Sequence, residues 1–89
     1  LKPIEKFASR RNPVILIVVQ SSTPIIRDIM EIGGKHGLTI KSFETQIVDM
    51  KQYEAIRMVV RFGPCTYPEV EAFVKELQRQ TQPIEIKIC

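Results

Sequence analysis

The sequence has too few metal-binding and nucleophilic side chains for most kinds of active site. Its 89 residues include one histidine, His36, two cysteines, Cys65 and Cys89, and no tryptophan. A structural zinc site needs about four nitrogen or sulfur ligands, and no base is specified that would activate either cysteine as a nucleophile. We therefore expect no catalytic residues, no metal and no cofactor, and we interpret His36 as a solvent-facing loop residue.

Long apolar runs are also missing. The longest is six residues, Val14 to Val19, whereas a transmembrane helix needs about 20. The sequence begins with Leu1 and not with Met, so we expect it to be part of a longer chain. A membrane span upstream of Leu1 is therefore not excluded.

Positive charge is concentrated at the start of the chain. The sequence has thirteen Lys and Arg against ten Asp and Glu, a net charge of +3. Four of the basic residues precede the first predicted strand: Lys2, Lys6, Arg10 and Arg11. From residue 12 onward the sequence has nine basic and nine acidic residues, so this part carries no net charge. We therefore divide the chain into a basic amphipathic leader, residues 1–13, and a neutral folded domain, residues 14–89. Nucleic-acid binding is not expected, because the basic stripe and stacking aromatic residues that it needs are missing.

The hydrophobic patterns predict the element order β-α-β-β-α-β. The continuous apolar run at 14–19 is typical of a central strand buried on both faces. Thr23 is the expected N-cap and Pro24 the first residue of a helix that ends at the glycines of 33–37. Two strands follow at 38–50 and 53–62, and a change of parity near Ser42 indicates a β-bulge in the first of them.

The second half of the chain repeats this plan. Thr66 and Glu69 match a capping box, a helical apolar stripe follows, and residues 84–89 alternate as a last strand. Two split βαβ units give an α+β, ferredoxin-like sandwich with strand order 4-1-3-2 and both helices on one face. In this arrangement we expect Cys65 and Cys89 at opposite ends of the sheet, ~15–20 Å apart and too distant for a disulfide.

The sheet face without helices is a candidate interaction surface. Arg57, Val59 and Arg61 are predicted to lie there on the third strand, and Lys87 on the fourth. Together with one side of the first strand they form an apolar stripe flanked by charge, which is typical of protein contacts. Alternatively, the stems of the long basic side chains shield the stripe within one molecule.

The turn after the first strand is a candidate ligand site. Free backbone N–H groups at a helix start and the hydroxyls of Ser21, Ser22 and Thr23 would suit a carboxylate or a phosphate. The simpler interpretation is that these residues only cap the helix.

From residue 14 to residue 89 the chain resembles the ACT domain family, whose members bind amino acids or other small ligands at this turn, usually across a dimer interface. Many members carry an Asp-x-x-Gly motif where this sequence has Ser21-Ser22-Thr23-Pro24-Ile25-Ile26. The leader, Leu1-Lys2-Pro3-Ile4-Glu5-Lys6, resembles the segment that follows the last membrane helix in the MgtC/SapB family.

The resemblance to the MgtC/SapB family implies a non-catalytic accessory or regulatory domain on the cytoplasmic face of the bacterial inner membrane, linked to magnesium-limited growth and virulence. Its implied partner is its own N-terminal membrane domain or another membrane protein. Independently, the basic amphipathic pattern of residues 1–11 suits contact with the membrane surface, and the open sheet face or a sheet edge suits a homodimer. The alternative is an ACT-like domain that senses a small ligand and regulates a soluble enzyme or a transporter.

Overall fold

The computed structural model describes residues 10–89, and its elements follow the predicted order. They are β1 (Val14–Gln20), α1 (Ile25–Lys35), β2 (Ile40–Asp49), β3 (Glu54–Phe62), α2 (Tyr67–Thr81) and β4 (Glu85–Ile88). The strands form one antiparallel sheet in the order β2-β3-β1-β4, with both helices packed on the same face. The predicted ferredoxin-like sandwich is confirmed. The amphipathic pattern before Arg10 lies outside the described residues.

Strand β1 lies at the centre of the sheet, as its composition predicts. Ile15, Ile17 and Val19 are at most 1% exposed and belong to the core beneath the helices. Leu16 and Val18 point to the other face, which we call the open face. A strand with neighbours on both sides and apolar residues on both faces is the natural position for such a run.

Strand β2 contains the expected bulge. Ile40 pairs with Phe62 and Ser42 pairs with Arg61, so Lys41 is an extra residue between two successive pairs. The change of parity in the sequence is therefore confirmed as a local irregularity of the ladder. The strand is shorter at both ends than the predicted 38–50.

Helix α1 begins one residue later than the sequence suggests, and Thr23 is not its N-cap. Pro24 occupies the N-cap position with φ −79° and ψ 60°, and no side chain caps the helix. The N–H of Ile25 donates to the carbonyl of Thr23 at 2.8 Å, which with these angles makes an inverse γ-turn centred on Pro24. The ψ of Pro24 lies outside the helical region, so the helix starts only after it.

The end of α1 uses one glycine, not three, for its left-handed turn. Gly33 and Gly34 lie within the helix, His36 is the C-cap, and Gly37 has φ +71°. The N–H of Leu38 donates to the carbonyl of Gly33 at 2.9 Å and that of Gly37 to Gly34 at 3.1 Å. These two bonds define a Schellman motif. The prediction that the glycines together supply this geometry is correct only for Gly37.

Helix α2 has the predicted capping box and core stripe. The Thr66 hydroxyl accepts from the N–H of Glu69, and the Glu69 carboxylate accepts from the N–H of Thr66 at 2.7 Å. The Thr66 N–H and the Thr66 hydroxyl both donate to the Glu69 carboxylate, and these two hydrogen bonds lower the pKa of Glu69. Phe73, at the centre of the stripe, is fully buried and packs edge-to-face against Phe62 at 5.4 Å between ring centroids.

The two cysteines lie at the same end of the sheet, contrary to the prediction. Strands β3 and β4 both run antiparallel to β1, so both end where β1 begins. Cys65 follows β3 and Cys89 follows β4, and together they line one cavity of about 580 Å³. Both are free thiols, with Cys65 buried and Cys89 exposed.

Candidate ligand site

An apolar groove of about 360 Å³ lies between the start of α1 and the edge strand β2. We call it the α1–β2 groove. Its lining comes from the beginning of α1, from β2 and from the helix side of β3: Thr23, Pro24, Ile25, Ile26, Arg27, Thr45, Ile47, Ile56 and Met58. This volume is within the range of small-molecule sites, roughly 300–1,000 Å³.

The groove exists because α1 carries more apolar side chains than the core takes up. Ile25 and Ile29 are buried, whereas Ile26 is 51% exposed and Met30 is 53% exposed. Across the groove Ile47 on β2 is 70% exposed. An edge strand has no neighbour on its outer side, so these side chains remain in contact with water and available to a ligand or partner.

Three polar side chains lie among the apolar ones. Thr23 and Thr45 bring hydroxyl groups, and Arg27 brings a guanidinium with five N–H donors in a planar fork. Such a fork matches a carboxylate bidentately. Arg27 is in the first turn of α1, where the positive end of the helix dipole also favours a negative charge. The arrangement therefore suits a small anion with an apolar body.

The structure places one of the three predicted ligand residues at the groove and the other two outside it. Thr23 lines the groove, while Ser21 and Ser22 are exposed on the preceding turn and are not among its lining residues. The backbone donors expected to be free are partly used: the N–H of Ser21 donates to the carbonyl of Glu54 at 3.0 Å, and that of Thr23 to Gln20 at 3.0 Å. Of the predicted ligand residues Thr23 therefore lies at the groove, together with side chains of α1, β2 and β3.

The residues predicted for the interaction surface all lie on the open face. Arg57, Arg61 and Lys87 are exposed, and Val59 is half-buried. Leu16 on the central strand is only 8% exposed, so part of the apolar stripe is covered within the molecule itself.

A buried carboxylate that the sequence patterns do not single out joins the two helices. Glu76 on α2 is 8% exposed and accepts from Lys35 Nζ at 2.8 Å, His36 Nε2 at 2.7 Å and Gln80 Nε2 at 2.8 Å. The hydrogen bonds from Lys35 and then His36 lower the pKa of Glu76. His36 is thus partly buried and bonded, not the solvent-facing loop residue that was expected. The only signal in the sequence is that Glu76 lies three residues after Phe73, beside the apolar stripe.

Residues 10–89 contain no group of three or more His, Cys, Asp or Glu side chains placed to hold a metal ion. Neither helix in this part of the chain has the length and apolarity to cross a membrane.

Comparison with known proteins shows the fold but no close relative. No protein-family model matches the chain, and no curated protein matches it. A crystal structure of an unknown protein from Galdieria sulphuraria is similar with a TM-score of 0.68 and 17% identity, over 99% of this chain and 51% of that one. The chain therefore spans about half the length of that protein.

A second solved structure is the ACT domain from GTP pyrophosphokinase of Chlorobium tepidum. It is similar with a TM-score of 0.64 and 13% identity, over 91% of this chain and 100% of that domain. The resemblance to the MgtC/SapB family has no support among family models and stays a prediction. Residues 10–89 have an ACT-like, ferredoxin-type fold.

Proposed function

We propose that this domain is a non-catalytic regulatory module that binds a small carboxylate with an aliphatic or aromatic side chain in the α1–β2 groove. The observation that carries the proposal is the combination of exposed Ile26 and Ile47 with Arg27 around one cavity of about 360 Å³. The apolar walls favour a hydrophobic side chain, and the guanidinium favours a carboxylate.

Hydrophobic amino acids are the ligands that best match this chemistry. Their side chains fit a cavity of this size, and the Thr23 and Thr45 hydroxyls offer acceptors for an ammonium group. The likeness to the ACT domain of a GTP pyrophosphokinase supports this choice at the level of fold. The resemblance to ACT domains, whose members bind amino acids or other small ligands, also supports a small ligand near the start of α1.

The polar groups that line the groove support binding without turnover. They are Thr23, Thr45 and Arg27, and none of them is a general base paired with a nucleophile, which acyl or phosphoryl transfer at this position would need. We therefore propose that the groove holds a ligand without transforming it. Occupation of the groove would be transmitted by contact to the protein that the domain regulates.

Ligand binding is tested by thermal unfolding of the chain with leucine, isoleucine, methionine and phenylalanine, each compared with the amine that lacks its carboxylate. A ligand at 100 times its dissociation constant stabilises the folded state by about 2.7 kcal/mol, which raises the Tm of a domain this size by roughly 10–20 °C. Arg27→Gln should remove most of this shift, and the matched control Arg79→Gln on α2 should keep it. Absence of a shift with all four amino acids, or an equal shift with the amines, would refute the proposed ligand class.

A second proposal concerns the parent protein. Four basic residues precede Asn12, and such a cluster is what the positive-inside rule expects just cytoplasmic of a membrane helix. We propose that the domain belongs to an inner-membrane protein of the MgtC/SapB type and that residues 1–11 contact anionic lipid. Its partners would be its own N-terminal membrane domain or another membrane protein.

Sedimentation with vesicles tests this second proposal. The chain should bind vesicles that contain phosphatidylglycerol and not pure phosphatidylcholine, and the binding should weaken with salt. Lys2→Glu together with Lys6→Glu should abolish it, whereas the same reversal at Lys41 and Lys51 in the folded domain should not. Equal binding by both double variants would contradict a role for the leader.

A further inference from the structure

The open face carries rows of side chains whose charges are arranged in a self-complementary way. In one row Val18 on β1 lies between Glu85 on β4 and Arg57 on β3. In the next row Leu16 lies between Lys87 on β4 and Val59 on β3. Each row thus has an apolar residue on the central strand, and the first row has opposite charges on its two sides.

A two-fold rotation about an axis parallel to β1 brings each row opposite itself in a second copy. The rotation exchanges the β3 and β4 sides, so Glu85 of one copy faces Arg57 of the other, twice by symmetry. The half-buried Val18 then faces its own counterpart near the axis, while Leu16 beside it is only 8% exposed and adds little contact area. Aligned sheets pack with their strand directions within about 30° of each other, so this correspondence holds near the axis.

The neighbouring side chains fit the same rotation. Glu44 on β2 lies next to Val59 in the Leu16 row, so Lys87 of one copy comes within reach of Glu44 of the other. The Glu44 carboxylate is exposed and only loosely paired, 3.8 Å from Arg61. The rotation therefore brings four pairs of opposite charges together and no pair of like charges in these rows.

A hollow of about 330 Å³ also opens on this face, and its lining includes the exposed Met50 and Ile84. It is lined from both sides of β1, by Arg57 on β3 and Glu85 on β4 among others. The rotation therefore places the hollows of the two copies opposite each other, and the second copy would cover these apolar side chains.

We propose that the open face is the contact surface for a second copy of this chain, in a face-to-face dimer whose two-fold axis is parallel to β1. This inference is independent of the ligand proposed for the α1–β2 groove, which lies on the helix side of the sheet. The face measures roughly 19 Å by 17 Å, so each copy buries less than the ~800 Å² of a standard interface. We therefore expect a weak dimer that forms at protein concentrations on the order of 100 µM.

Charge exchange between two variants provides the test. Sedimentation equilibrium of the 89-residue chain should show reversible dimerisation that weakens with added salt. Arg57→Glu and Glu85→Arg should each weaken self-association at least about tenfold, because both symmetry-related pairs become repulsive. An equimolar mixture of the two variants should associate again as a heterodimer, since the carboxylate introduced in one variant would then face the guanidinium introduced in the other. The control Arg79→Glu changes the same charge on the helix side and should dimerise like the unaltered chain.

Three results would overturn the proposal. The first is a strictly monomeric chain up to about 1 mM. The second is a mixture of the two variants that, although both are folded by circular dichroism, associates no better than either alone. The third is self-association that is lost with Ile47→Lys on the β2 edge and unaffected by Arg57→Glu, which would identify edge-to-edge pairing of β2.

Discussion

Substitution by alanine should change the stability of the protein in opposite directions at two glycines near the end of α1. Gly34 is helical, and a Cβ atom added there meets nothing within 4 Å. Alanine is preferred to glycine within a helix by about 0.5–1 kcal/mol, so Gly34→Ala should stabilise the protein by about 0.5 kcal/mol, given its place in the last turn. Gly37 also has free space around a Cβ, but its φ of +71° lies in the left-handed region. A side chain in that conformation costs about 1–2 kcal/mol, so Gly37→Ala should destabilise by at least about 1 kcal/mol.

Thermal unfolding distinguishes these effects readily. For a domain this size about 1 kcal/mol corresponds to 4–8 °C in Tm, so we expect a rise of roughly 2–4 °C for Gly34→Ala and a fall of at least about 4 °C for Gly37→Ala. Gly33→Ala is the intermediate case, because its Cβ would lie 3.0 Å from Cδ1 of Ile40, and the displacement of that side chain offsets the gain in helix propensity. A fall in Tm for Gly34→Ala similar to that for Gly37→Ala would refute the assigned helix end.

Three further predictions concern the helix start, the buried carboxylate and the thiols. Thr66→Ala should cost about 1 kcal/mol in the free energy of unfolding because it removes a true N-cap, whereas Thr23→Ala should change it by less than about 0.5 kcal/mol; urea titration measures both. The folded-state pKa of Glu76 lies below its ordinary value of 4.5, so its ion pairs stabilise the protein above that pH and are lost as the pH falls through the lowered pKa. Glu76→Gln should therefore be less stable at neutral pH and should lose less stability on acidification. With a thiol-reactive chromogenic disulfide, Cys89 should react in the native protein and Cys65 only after unfolding, since burial and then the nearby Glu69 raise the Cys65 pKa.

Each of these three predictions has an experimental outcome that would contradict it. Equal losses for the two threonine variants would mean that Thr23 caps α1 after all. The control for Glu76 is Glu31→Gln at an exposed position of α1, and identical acid profiles for the two variants would argue against a structural role for the buried carboxylate. Rapid reaction of two thiols per native chain would show that Cys65 is accessible.

Features set by local pattern were predictable from the sequence. The continuous apolar run of β1 predicted its central position in the sheet, and the pair Thr66 and Glu69 predicted the start of α2. The change of parity near Ser42 revealed the bulge, because side chains in a strand alternate strictly between two faces.

Features set by the relation between distant elements were not predicted. Pro24 is an N-cap and not a first helical residue because it is the centre of a γ-turn, which the pattern of residue types does not reveal. The burial of Glu76 depends on the end of α1, about forty residues away. The α1–β2 groove depends on how α1 lies over the edge of the sheet, which leaves Ile26 and Ile47 exposed although the helical pattern places Ile26 on an apolar face.

The positions of the cysteines are a different case, because the predicted topology is enough to determine them. Once β3 and β4 are both antiparallel to β1, the residues that follow them must lie at the same end. The prediction that Cys65 and Cys89 lie at opposite ends is therefore wrong, and the directions of the predicted strands are sufficient to correct it.

The bulge in β2 also makes one position of the chain tolerant of a change in length. Lys41 is exposed and stands outside the succession of pairs, so its removal would leave Ile40 and Ser42 as neighbours that alternate normally. Every residue from Ser42 to Asp49 would keep its partner on β3 and its face of the sheet. A deletion at Thr45, in contrast, would turn the side chains on one side of the gap to the opposite face. We therefore expect single-residue length variation in this strand to be accommodated at Lys41, which has no partner in the succession of pairs with β3.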